Sequence, residues 1–436
     1  MNVFKNYYRA PQTLLKLPRQ LCFCVHYSQA STNHYNVQQL ELLGRKYQKD
    51  EMTNIGENIV NKLGRKLHLL KDHPLEIIKR KIRDHFHANY RSRFGGCVFA
   101  SIDNLNPIVN IKQNFDSLLV PKDHVSRAKN DNYYVNKDYV LRSHTTAHEV
   151  ELLKSGWNAF LNCGDCYRRD EIDSSHYPVF HQMEGVRLFD QHELFLGTKD
   201  DTLKILESHN MERTSQKQGW YTSDATAVTE YNLKYTLMQL AEYLFGDDIE
   251  MRWVDAYFPF THPSWELEIK LNGEWMEMLG CGILEHGIMQ NAGAGDRIGW
   301  AFGLGLERFA MKLFHIPDIR LFWSTDSRFL SQFEGKENAV FKPFSKYPPS
   351  YKDISFWLNE DFAANDLFEI VRSVAGDVVE EMTLVDQFIH PKTRKSSVCY
   401  RITYRAMDRT LRDEEVNELQ DEIRNSVERT LNVSLR

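Results

Sequence analysis

Residues 300–308, Trp-Ala-Phe-Gly-Leu-Gly-Leu-Glu-Arg, combine residue types that suit nucleotide binding. Gly303 and Gly305 have no Cβ, so that backbone or a ligand can approach them where a side chain would collide. Arg308 follows at the start of a predicted helix and offers a planar guanidinium that is permanently charged. The segment therefore predicts a strand-to-helix turn that seats a nucleotide. The alternative is a tight turn whose arginine is only solvated.

A second set of reactive side chains lies in a predicted hairpin, residues 167–184. Along its returning strand, Phe180, Gln182 and Glu184 recur at every second position and project from one face. An aromatic ring, an amide and a carboxylate side by side can stack a purine and hold an ammonium group. Arg168 can grip a carboxylate or a phosphate with two parallel hydrogen bonds. The alternative is an ordinary polar sheet face.

Phe258 and Phe260 lie on one side of a predicted extended segment, separated by Pro259. Two rings at this spacing can receive a third ring edge to face. A proline lacks a backbone donor and suits a pocket rim better than a central strand. We therefore expect an aromatic pocket, with ordinary core packing as the alternative.

Two further segments carry groups that can bind charges of a ligand. Glu277 lies on a predicted strand that ends in glycines, where its carboxylate can bind a Mg²⁺ ion that bridges phosphates or can simply face solvent. His144, Thr146 and Glu149 lie at a predicted helix start, where threonine is a good cap and the helix end favours anions. A cap without a ligand is the alternative there.

The composition limits the classes of protein to which the chain can belong. Its 436 residues are 42% hydrophobic and 12% aromatic, enough for two folded domains, because single cores stop growing near about 250–300 residues. The net charge of −6 excludes a protein that holds nucleic acid by bulk charge alone. A nucleic-acid partner must therefore be met by a local basic patch.

The N-terminal segment has the composition of a mitochondrial presequence. The first acidic residue is Glu41, whereas Lys5, Arg9 and Lys16 lie among apolar and hydroxyl-bearing residues. A secretory signal fits less well, because prolines and bases interrupt every apolar run. We therefore expect a presequence and flexible tail at 1–40. The alternative is a disordered tail that carries no targeting signal.

The cysteines and the hydropathy give two further expectations. No apolar stretch approaches the roughly 20 residues of a membrane span, so we expect a soluble mature protein without a membrane partner. The seven scattered cysteines form no disulfide framework. The single C-x-x-C at Cys163 and Cys166 has no second ligand pair, so buried, reduced thiols are favoured over zinc or redox chemistry.

The order of predicted elements favours an α+β fold. Residues 51–93 have apolar residues at helical spacing, which predicts a helical lead-in over residues 41–93. From 94 to 333 strands and helices alternate irregularly, and patterns such as residues 265–270 favour antiparallel strands. Residues 334–350 form a proline-marked linker. Residues 351–436 follow the order βαββαβ of a ferredoxin-like unit.

Taken together, these segments resemble the class II aminoacyl-tRNA synthetases. Residues 114–121 are similar to motif 1 of that family, residues 167–184 to motif 2 and residues 299–308 to motif 3. The aromatic-proline-aromatic segment and the His-Thr-Thr loop at His144 resemble the phenylalanyl-tRNA synthetases. The presequence and the C-terminal unit resemble their single-chain mitochondrial group. The resemblance covers nearly all of the chain beyond residue 50.

The resemblance implies a ligase that uses ATP and Mg²⁺. Phenylalanine would be activated to phenylalanyl-adenylate with release of pyrophosphate, and a terminal ribose of mitochondrial tRNA(Phe) would then take the acyl group. Residues 94–333 would form the catalytic domain and residues 351–436 the anticodon-binding domain. The expected partners are L-phenylalanine, ATP and tRNA(Phe), the expected compartment is the mitochondrial matrix, and the expected oligomeric state is a monomer.

The resemblance also implies roles for individual residues. The catalytic residues would be Arg168, Arg308 and Glu277, with Glu277 also taking Mg²⁺. The ATP-binding residues would be Arg168, Asp170, Ser175, His176, Tyr177, Phe180, Gly303, Gly305 and Arg308. The phenylalanine-binding residues would be His144, Thr146, Ala147, His148, Glu149, Gln182, Met183, Glu184, Phe258, Phe260, Thr261, Glu277, Ala301 and Phe302. The tRNA-binding residues would be Lys392, Arg394, Lys395, Arg401 and Arg405, which cluster in sequence around one predicted hairpin.

Three positions depart from the pattern of the resembling family. Asp170 stands where motif 2 generally has Glu, Thr146 where relatives often have Ser, and Glu149 where they often have Gln. The shorter acid at position 170 must reach its partner differently. The carboxylate at position 149 adds negative charge near the expected substrate ammonium, where it would either help binding or face water.

Overall fold

The structure, a computed structural model, describes residues 39–198, 200, 202–343 and 347–436. The presequence and tail expected at 1–40 therefore lie outside the described residues, apart from the last two. Among the described residues, no helix is long and apolar enough to cross a lipid bilayer.

The strands and helices of the described residues follow the α+β pattern that the sequence predicts. The strands are β1 Gln39–Leu42, β2 Arg45–Gln48, β3 Ala100–Ile102, β4 Ile108–Asn110, β5 Tyr139–Leu141, β6 Ala159–Tyr167, β7 Val179–Phe189, β8 Met251–Phe258, β9 Thr261–Leu271, β10 Glu274–Leu284, β11 Ile298–Gly305, β12 Ser350–Trp357, β13 Val379–Ile389, β14 Ser396–Tyr404 and β15 Ser434–Leu435. The α-helices are α1 Glu57–Val60, α2 Pro74–Asn89, α3 Ile111–Asn114, α4 Glu149–Lys154, α5 Gln191–Leu194, α6 Ser223–Phe245, α7 His286–Asn291, α8 Leu306–Leu313, α9 Ser327–Leu330, α10 Ala364–Ala375 and α11 Asp413–Leu431.

Seven strands form the central sheet, in the order β3-β6-β7-β11-β10-β9-β8. Its neighbouring strands are antiparallel except for β3 and β6, which confirms the antiparallel sheet expected from the sequence. The predicted alternation is present in β9, where Trp265, Leu267 and Ile269 are buried and the acidic residues between them are partly exposed.

One face of this sheet is covered by helices. Phe86 of α2, Leu237 of α6 and Phe309 of α8 share one apolar core with Trp300 and Phe302 of β11. The rings of Phe86 and Phe302 are stacked with their centres 5.6 Å apart. Because side chains alternate along a strand, residues 301, 303 and 305 face the other way. That second face carries the candidate site.

The lead-in at 41–93 begins with a hairpin, which corrects the expectation of a helical segment. Strands β1 and β2 are joined by Leu43 and Gly44, both with positive φ, of 49° and 76°. A Leu-Gly pair lacks the Asn-Gly or Asp-Gly signal that usually marks such a turn, so the pattern did not predict it. The predicted helix follows as α2, where Pro74 occupies the first turn and the His73 ring accepts a hydrogen bond from Leu75 N–H.

The C-terminal unit has the predicted βαββαβ order, formed by β12, α10, β13, β14, α11 and β15. Its sheet order is β13-β14-β12-β15, so that the first and third strands of the unit lie in the centre, as in ferredoxin-like folds. The two helices bury an apolar stripe that includes Val371 and Ile423. Inside it, the hydroxyl of Tyr404 donates a hydrogen bond to Gln420 Oε1 at 2.7 Å.

The loop between β6 and β7 joins the central domain to the C-terminal unit. Ile172 of this loop is buried in the apolar core of the C-terminal unit. The backbone N–H of Met382 donates to Ile172 O at 2.9 Å, and the guanidinium of Arg372 donates to the carbonyls of Asp170 and Glu171. The hydroxyl of Tyr133 donates to Glu369 at 2.8 Å. The conformation of this loop therefore depends on the C-terminal unit.

We predict that Gly185→Ala destabilises the protein. A Cβ at Gly185 would lie 2.2 Å from the Phe302 ring, which is almost fully buried between the sheet and α2. Overpacking of this kind costs about 1–3 kcal/mol, which denaturant unfolding would measure.

Gly303→Ala is the matched control for this prediction. Gly303 lies on β11, next to Phe302, but its added Cβ would meet no described atom within 4 Å because it points to the open face. The control should leave the free energy of unfolding nearly unchanged. Equal destabilisation by both substitutions would contradict the assignment of the two faces.

Candidate active site

The floor of the candidate site is the sheet face opposite α2, α6 and α8. Strands β7 and β11 pair there with Gln182 opposite Gly305 and Glu184 opposite Gly303. The Cβ position of either glycine has no described atom within 4 Å. The glycines therefore leave a strip of open backbone beside the polar side chains of β7, where a flat ligand can lie against the sheet.

Phe180 and Arg168 are in contact at one end of this floor, and Arg308 lies in α8, which directly follows β11. The Cζ atom of Arg168 lies 5.1 Å from the centre of the Phe180 ring, a cation–π contact, and its Nε donates to Ser143 O at 2.8 Å. Arg308 follows Gly305 on α8, and its side chain is 44% exposed. An aromatic face and two guanidinium groups can accept a purine ring and a phosphate.

A buried interaction behind the floor fixes the spacing of these groups. The carboxylate of Glu307 accepts hydrogen bonds from the backbone N–H of His181 at 2.8 Å and from His181 Nδ1 at 2.7 Å. His181 lies between Phe180 and Gln182 on β7, while Glu307 immediately precedes Arg308. The pair therefore ties the start of α8 to the strand that carries the aromatic face.

Neither His181 nor Glu307 was among the predicted site residues. Their signal in the sequence is indirect. His181 alternates with Phe180 and Gln182 along β7 and would be expected to face an apolar core, whereas Glu307 lies directly before Arg308 in α8. A buried carboxylate needs donors, and the histidine supplies them.

The residues of the expected aromatic pocket lie further along the floor, away from Phe180 and Arg168. The rings of Phe258 and Phe260 are parallel to within 12°, with their centres 5.9 Å apart. Thr261 is buried and shares a 2.8 Å hydrogen bond with Ser264. Ala301 pairs with Gly282, whose Cβ position lies 2.7 Å from Thr261. Small side chains therefore border the two rings.

Polar side chains lie between the two ends of the floor. Gln182 Oε1 accepts from Thr145 N–H at 3.3 Å, and Asn162 lies opposite Glu184 on β6. Burial raises the pKa of Glu184 to about 7, against the opposing effect of its hydrogen-bonding neighbours Thr146 and Asn162. This carboxyl group can thus receive an ammonium group from a ligand.

His144 and Glu149 lie beside these polar groups. Burial and the nearby charge of Arg168 lower the pKa of His144 to about 3, so the ring is neutral near pH 7. It lies 6.0 Å from the Phe260 ring, between centres. Glu149 is fully buried, and burial together with the charge of Glu184 raises its pKa well above the usual range. It does not face water.

Two of the predicted pocket residues, Phe302 and Met183, lie on the other face of the sheet. Both are buried in the helix-covered core, whereas their neighbours Gly303 and Glu184 belong to the floor. The prediction extended to consecutive residues of a strand, and consecutive side chains point to opposite faces. The structure therefore does not bring these two to the pocket.

Three more predicted residues are engaged elsewhere. Tyr177 is buried where the C-terminal unit packs, with its hydroxyl donating to Asp377 at 2.7 Å. His148 Nε2 lies 3.0 Å from Arg142 Nη1, and burial lowers its pKa to about 3, so its ring accepts this hydrogen bond. Ala147 is buried in the apolar cluster beside the floor.

Arg142 belongs to a buried network that sequence reasoning missed. Its Nη2 donates to Asp165 Oδ1 at 2.8 Å and its Nε to Asp165 O at 2.7 Å. The hydroxyl of Tyr167 donates to Asp165 Oδ2 at 2.5 Å. The network fixes β6 against the His144 loop, and no local pattern distinguishes such an arginine from a solvated one.

The remaining ATP candidates, Asp170, Ser175 and His176, lie in the loop between β6 and β7. His176 Nδ1 lies 2.7 Å from Asp173 Oδ2, and this hydrogen bond raises the pKa of His176. The ring is 43% exposed at the edge of the site. In its protonated form, this imidazole can meet the distal part of a polyphosphate.

Glu277 contacts Arg308 at the outer rim of the floor. Its Oε2 lies 3.3 Å from Arg308 Nη1, which also donates to Glu277 O at 3.0 Å. Glu268 lies opposite it on β9. Burial and the charges of Glu277 and Glu268 raise the pKa of Glu266. Carboxylate oxygens are ligands that Mg²⁺ prefers, and a cation there would relieve this repulsion.

The five predicted tRNA-binding residues divide into separate groups. Lys392, Arg394 and Lys395 are exposed in the turn between β13 and β14. Arg401 lies midway along β14, paired with Asp353 at 2.8 Å, and Arg405 beyond the far end, paired with Glu380 at 2.9 Å. The ten residues of extended chain from Lys395 to Arg405 span about 30 Å. The five residues therefore do not form the expected single patch, and only the three in the turn lie together.

Family models match both domains of the chain. The model for the tRNA synthetases class II core domain (F) matches residues 60–218 and 207–333, and the model for the ferredoxin-fold anticodon binding domain matches residues 345–436.

Curated relatives match along most of their length. The mitochondrial phenylalanine–tRNA ligase of Mus musculus is 52% identical over 402 residues, 91% of this chain and 89% of the relative. The probable mitochondrial enzyme of Drosophila melanogaster is 49% identical, covering 91% of this chain and 92% of the relative. The mitochondrial enzyme of Saccharomyces cerevisiae is 38% identical, covering 92% and 96%. The chain therefore belongs to the phenylalanine–tRNA ligases, with the core of the class II aminoacyl-tRNA synthetases.

Proposed function

We propose that this protein activates L-phenylalanine with ATP and transfers the phenylalanyl group to the terminal ribose of mitochondrial tRNA(Phe). The observation that carries the proposal is the floor of the sheet, where the paired rings of Phe258 and Phe260 and the contact between Arg168 and Phe180 flank one strip of polar groups. Class II synthetases use ATP as a substrate, and the curated relatives are named for phenylalanine.

In the first step, a carboxylate oxygen of phenylalanine attacks the α-phosphorus of ATP, and pyrophosphate leaves. Arg168 would bind the α-phosphate and the substrate carboxylate together, while Phe180 and Arg308 would hold the adenine between them. Positioning and charge stabilisation supply most of the barrier lowering in such a reaction, so that no protein nucleophile is required. The low pKa of His144 makes it a neutral hydrogen-bonding group rather than a cation.

Mg²⁺ belongs to the same proposal. When bound, it would neutralise charge on the departing pyrophosphate. Glu277 would hold it through a carboxylate oxygen, with Glu266 as the neighbouring acid. The present contact of Glu277 with Arg308 would then have to be shared with the ion or exchanged for it.

In the second step, a terminal ribose hydroxyl of the tRNA attacks the carbonyl carbon of the adenylate, and AMP leaves. The C-terminal unit would bind the anticodon region, with phosphate contacts from Lys392, Arg394 and Lys395 in the β13–β14 turn. Such contacts are electrostatic and weaken with salt. The unit's contact with Ile172 also joins it to the loop beside the ATP site.

The division of the chain is a further part of this proposal. A presequence at 1–40 would direct it to the mitochondrial matrix, in agreement with the names of the relatives. The lead-in at 41–93 and the catalytic domain at 94–333 would be followed by the linker at 334–350 and the anticodon-binding domain at 351–436. We propose a monomer, in which one chain contains both activities.

Phenylalanine-dependent exchange of pyrophosphate into ATP, followed by charging of mitochondrial tRNA(Phe), tests the proposal. We predict that both reactions occur and that Arg308→Gln reduces exchange at least tenfold, since one lost charged contact in a transition state costs more than about 1.4 kcal/mol. Exchange without charging would indicate a different acceptor. The absence of both would contradict the proposal.

We predict that Ala301→Gly allows para-substituted phenylalanines to be activated. Ala301 is buried beside Gly282 and Thr261, so removal of its methyl group deepens the pocket where a para substituent would lie. An apolar pocket rejects an added hydroxyl only about 10²-fold, which makes steric exclusion of tyrosine by this methyl group important. Exchange assays with phenylalanine, tyrosine and para-chlorophenylalanine measure the effect.

Cys281→Ala serves as the control for this substitution. Cys281 is the neighbour of Gly282 on β10, and it is buried in the helix-covered core on the other face of the sheet. The Cys281→Ala substitution removes volume without opening the pocket, so selectivity should not change. Unchanged selectivity in Ala301→Gly would contradict the position of the pocket floor.

A further inference from the structure

The tip of the β8–β9 hairpin, residues 258–262, carries the two paired rings and is irregularly joined to β10. Gly282 of β10 pairs with Ser264, and Leu284 pairs with Thr261. Between these two pairs, two residues of β9 therefore oppose one residue of β10, as in a β-bulge, which interrupts the ladder of backbone hydrogen bonds. Buried backbone groups at such a place need partners from outside the ladder.

The side chain of Gln218 supplies such partners and is only 4% exposed. Its Nε2 donates to His262 O at 2.7 Å and to Leu284 O at 3.0 Å. Its Oε1 accepts from the backbone N–H of His286 at 2.8 Å. An amide has two N–H donors and one carbonyl acceptor, so these three partners use both of its ends. Neither a carboxylate nor an apolar side chain of similar size can make the same set of bonds.

Gln218 lies in a loop, residues 206–221, that is itself held in place. The two arms of the loop are joined by a backbone hydrogen bond of 2.9 Å from Glu207 N–H to Trp220 O. At the end of the loop, Tyr221 is fully buried in the core of the catalytic domain. The amide therefore reaches the hairpin tip from a fixed support.

The same loop makes two more contacts near the hairpin tip. His262 Nε2 lies 2.7 Å from Thr214 O, and Arg213 Nη1 lies 2.8 Å from Glu285 Oε1. Both contacts are open to solvent, and the Arg213 side chain is 47% exposed. Water can compete for them, whereas it cannot readily replace a buried amide. The bonds of Gln218 are therefore the main connection between the loop and the tip.

The two carbonyls that the amide binds adjoin residues of the aromatic pocket. His262 directly follows Thr261. Leu284 directly precedes Glu285, whose backbone N–H donates to Phe260 O at 3.1 Å. The amide thus holds the chain on both sides of the pocket border.

The rings depend closely on where the hairpin tip lies relative to β10. The Phe258 ring packs against Gly280 of β10, where a Cβ would lie 2.6 Å from the ring. Ala301, on the neighbouring strand β11, pairs with Gly282 of β10. A displacement of the tip from β10 would therefore change the gap between the rings and Ala301.

We propose that Gln218 is a positioning residue for the phenylalanine pocket, which joins the hairpin tip to the end of β10 and so sets the gap between the ring pair and Ala301. The proposal rests on the proposed function and deepens it by identifying a residue that acts on recognition of the amino acid. Gln218 acts through the backbone at Thr261 and Phe260 rather than by touching the substrate. A pocket whose walls are held less firmly binds its ligand less tightly.

Gln218→Met in the whole protein tests the proposal, because methionine is an adaptable, unbranched side chain of similar length without an amide. In phenylalanine-dependent exchange of pyrophosphate into ATP, the KM for phenylalanine should rise about tenfold, since the buried bonds that fix the rings are lost. The KM for ATP should not change, because Arg168 and Phe180 lie away from the aromatic pocket. Discrimination against para-chlorophenylalanine should also fall.

Gln420→Met is the matched control. Gln420 is 2% exposed, its Oε1 accepts from the Tyr404 hydroxyl at 2.7 Å, and its Nε2 donates to Asp353 O at 3.3 Å. It lies in the C-terminal unit, so the same substitution removes buried hydrogen bonds without reaching the pocket. Both KM values should stay unchanged, even where thermal unfolding occurs at a lower temperature.

Gln218→Asn is a milder second variant, to be used if Gln218→Met does not fold. It retains the amide on a side chain that is one methylene shorter and cannot reach all three backbone partners at once. The KM for phenylalanine should again rise, by a smaller factor, with the KM for ATP unchanged.

The outcomes separate this proposal from the proposed function. If the unaltered protein shows no phenylalanine-dependent exchange, the function is wrong, together with the role that rests on it. If the unaltered protein is active and a folded Gln218 variant keeps the original KM for phenylalanine, only the positioning role is wrong. The same conclusion follows if the KM values for phenylalanine and ATP rise by the same factor, or if Gln420→Met has the same effect.

Discussion

Strands β7 and β11 lie side by side with Gln182 opposite Gly305 and Glu184 opposite Gly303, and this register decides what each face of the sheet can do. A shift by one residue would turn Phe302 to the open face and the glycines into the core. The helices α2, α6 and α8 prevent such a shift, because the large rings of β11 are packed against them. The apolar face thus fixes the position of the polar one.

The buried acids on the two faces of the sheet differ in whether their carboxylates receive hydrogen bonds. Glu307, behind the floor, is satisfied by the backbone and ring of His181, and so acts as a fixed tie between β7 and α8. Glu149, on the floor side, has no hydrogen-bond donor for either carboxylate oxygen among the described residues. A satisfied buried acid stiffens a structure, whereas an unsatisfied one is costly unless a ligand supplies the donors. This contrast distinguishes the support of the site from its binding surface.

The sequence predicts the antiparallel sheet, the βαββαβ unit and the residues of the floor, since these depend on local alternation and order. Phe180, Gln182 and Glu184 illustrate this, because a period of two places them on one face wherever the strand lies. Phe302 and Tyr177 were misjudged because their environment is set by α2 and by the C-terminal unit, which are distant in sequence. The burial of Glu149 has the same origin in tertiary packing.

A crystal structure with a non-hydrolysable phenylalanyl-adenylate analogue is the most direct test of the central claim, that one open face of the sheet binds both substrates. We predict the adenine between Phe180 and Arg308, the phenyl ring against Phe258 and Phe260 above Ala301, and the ammonium group at Glu184. An analogue bound away from Gly303 and Gly305, or with its ring outside the phenylalanine pair, would contradict that claim.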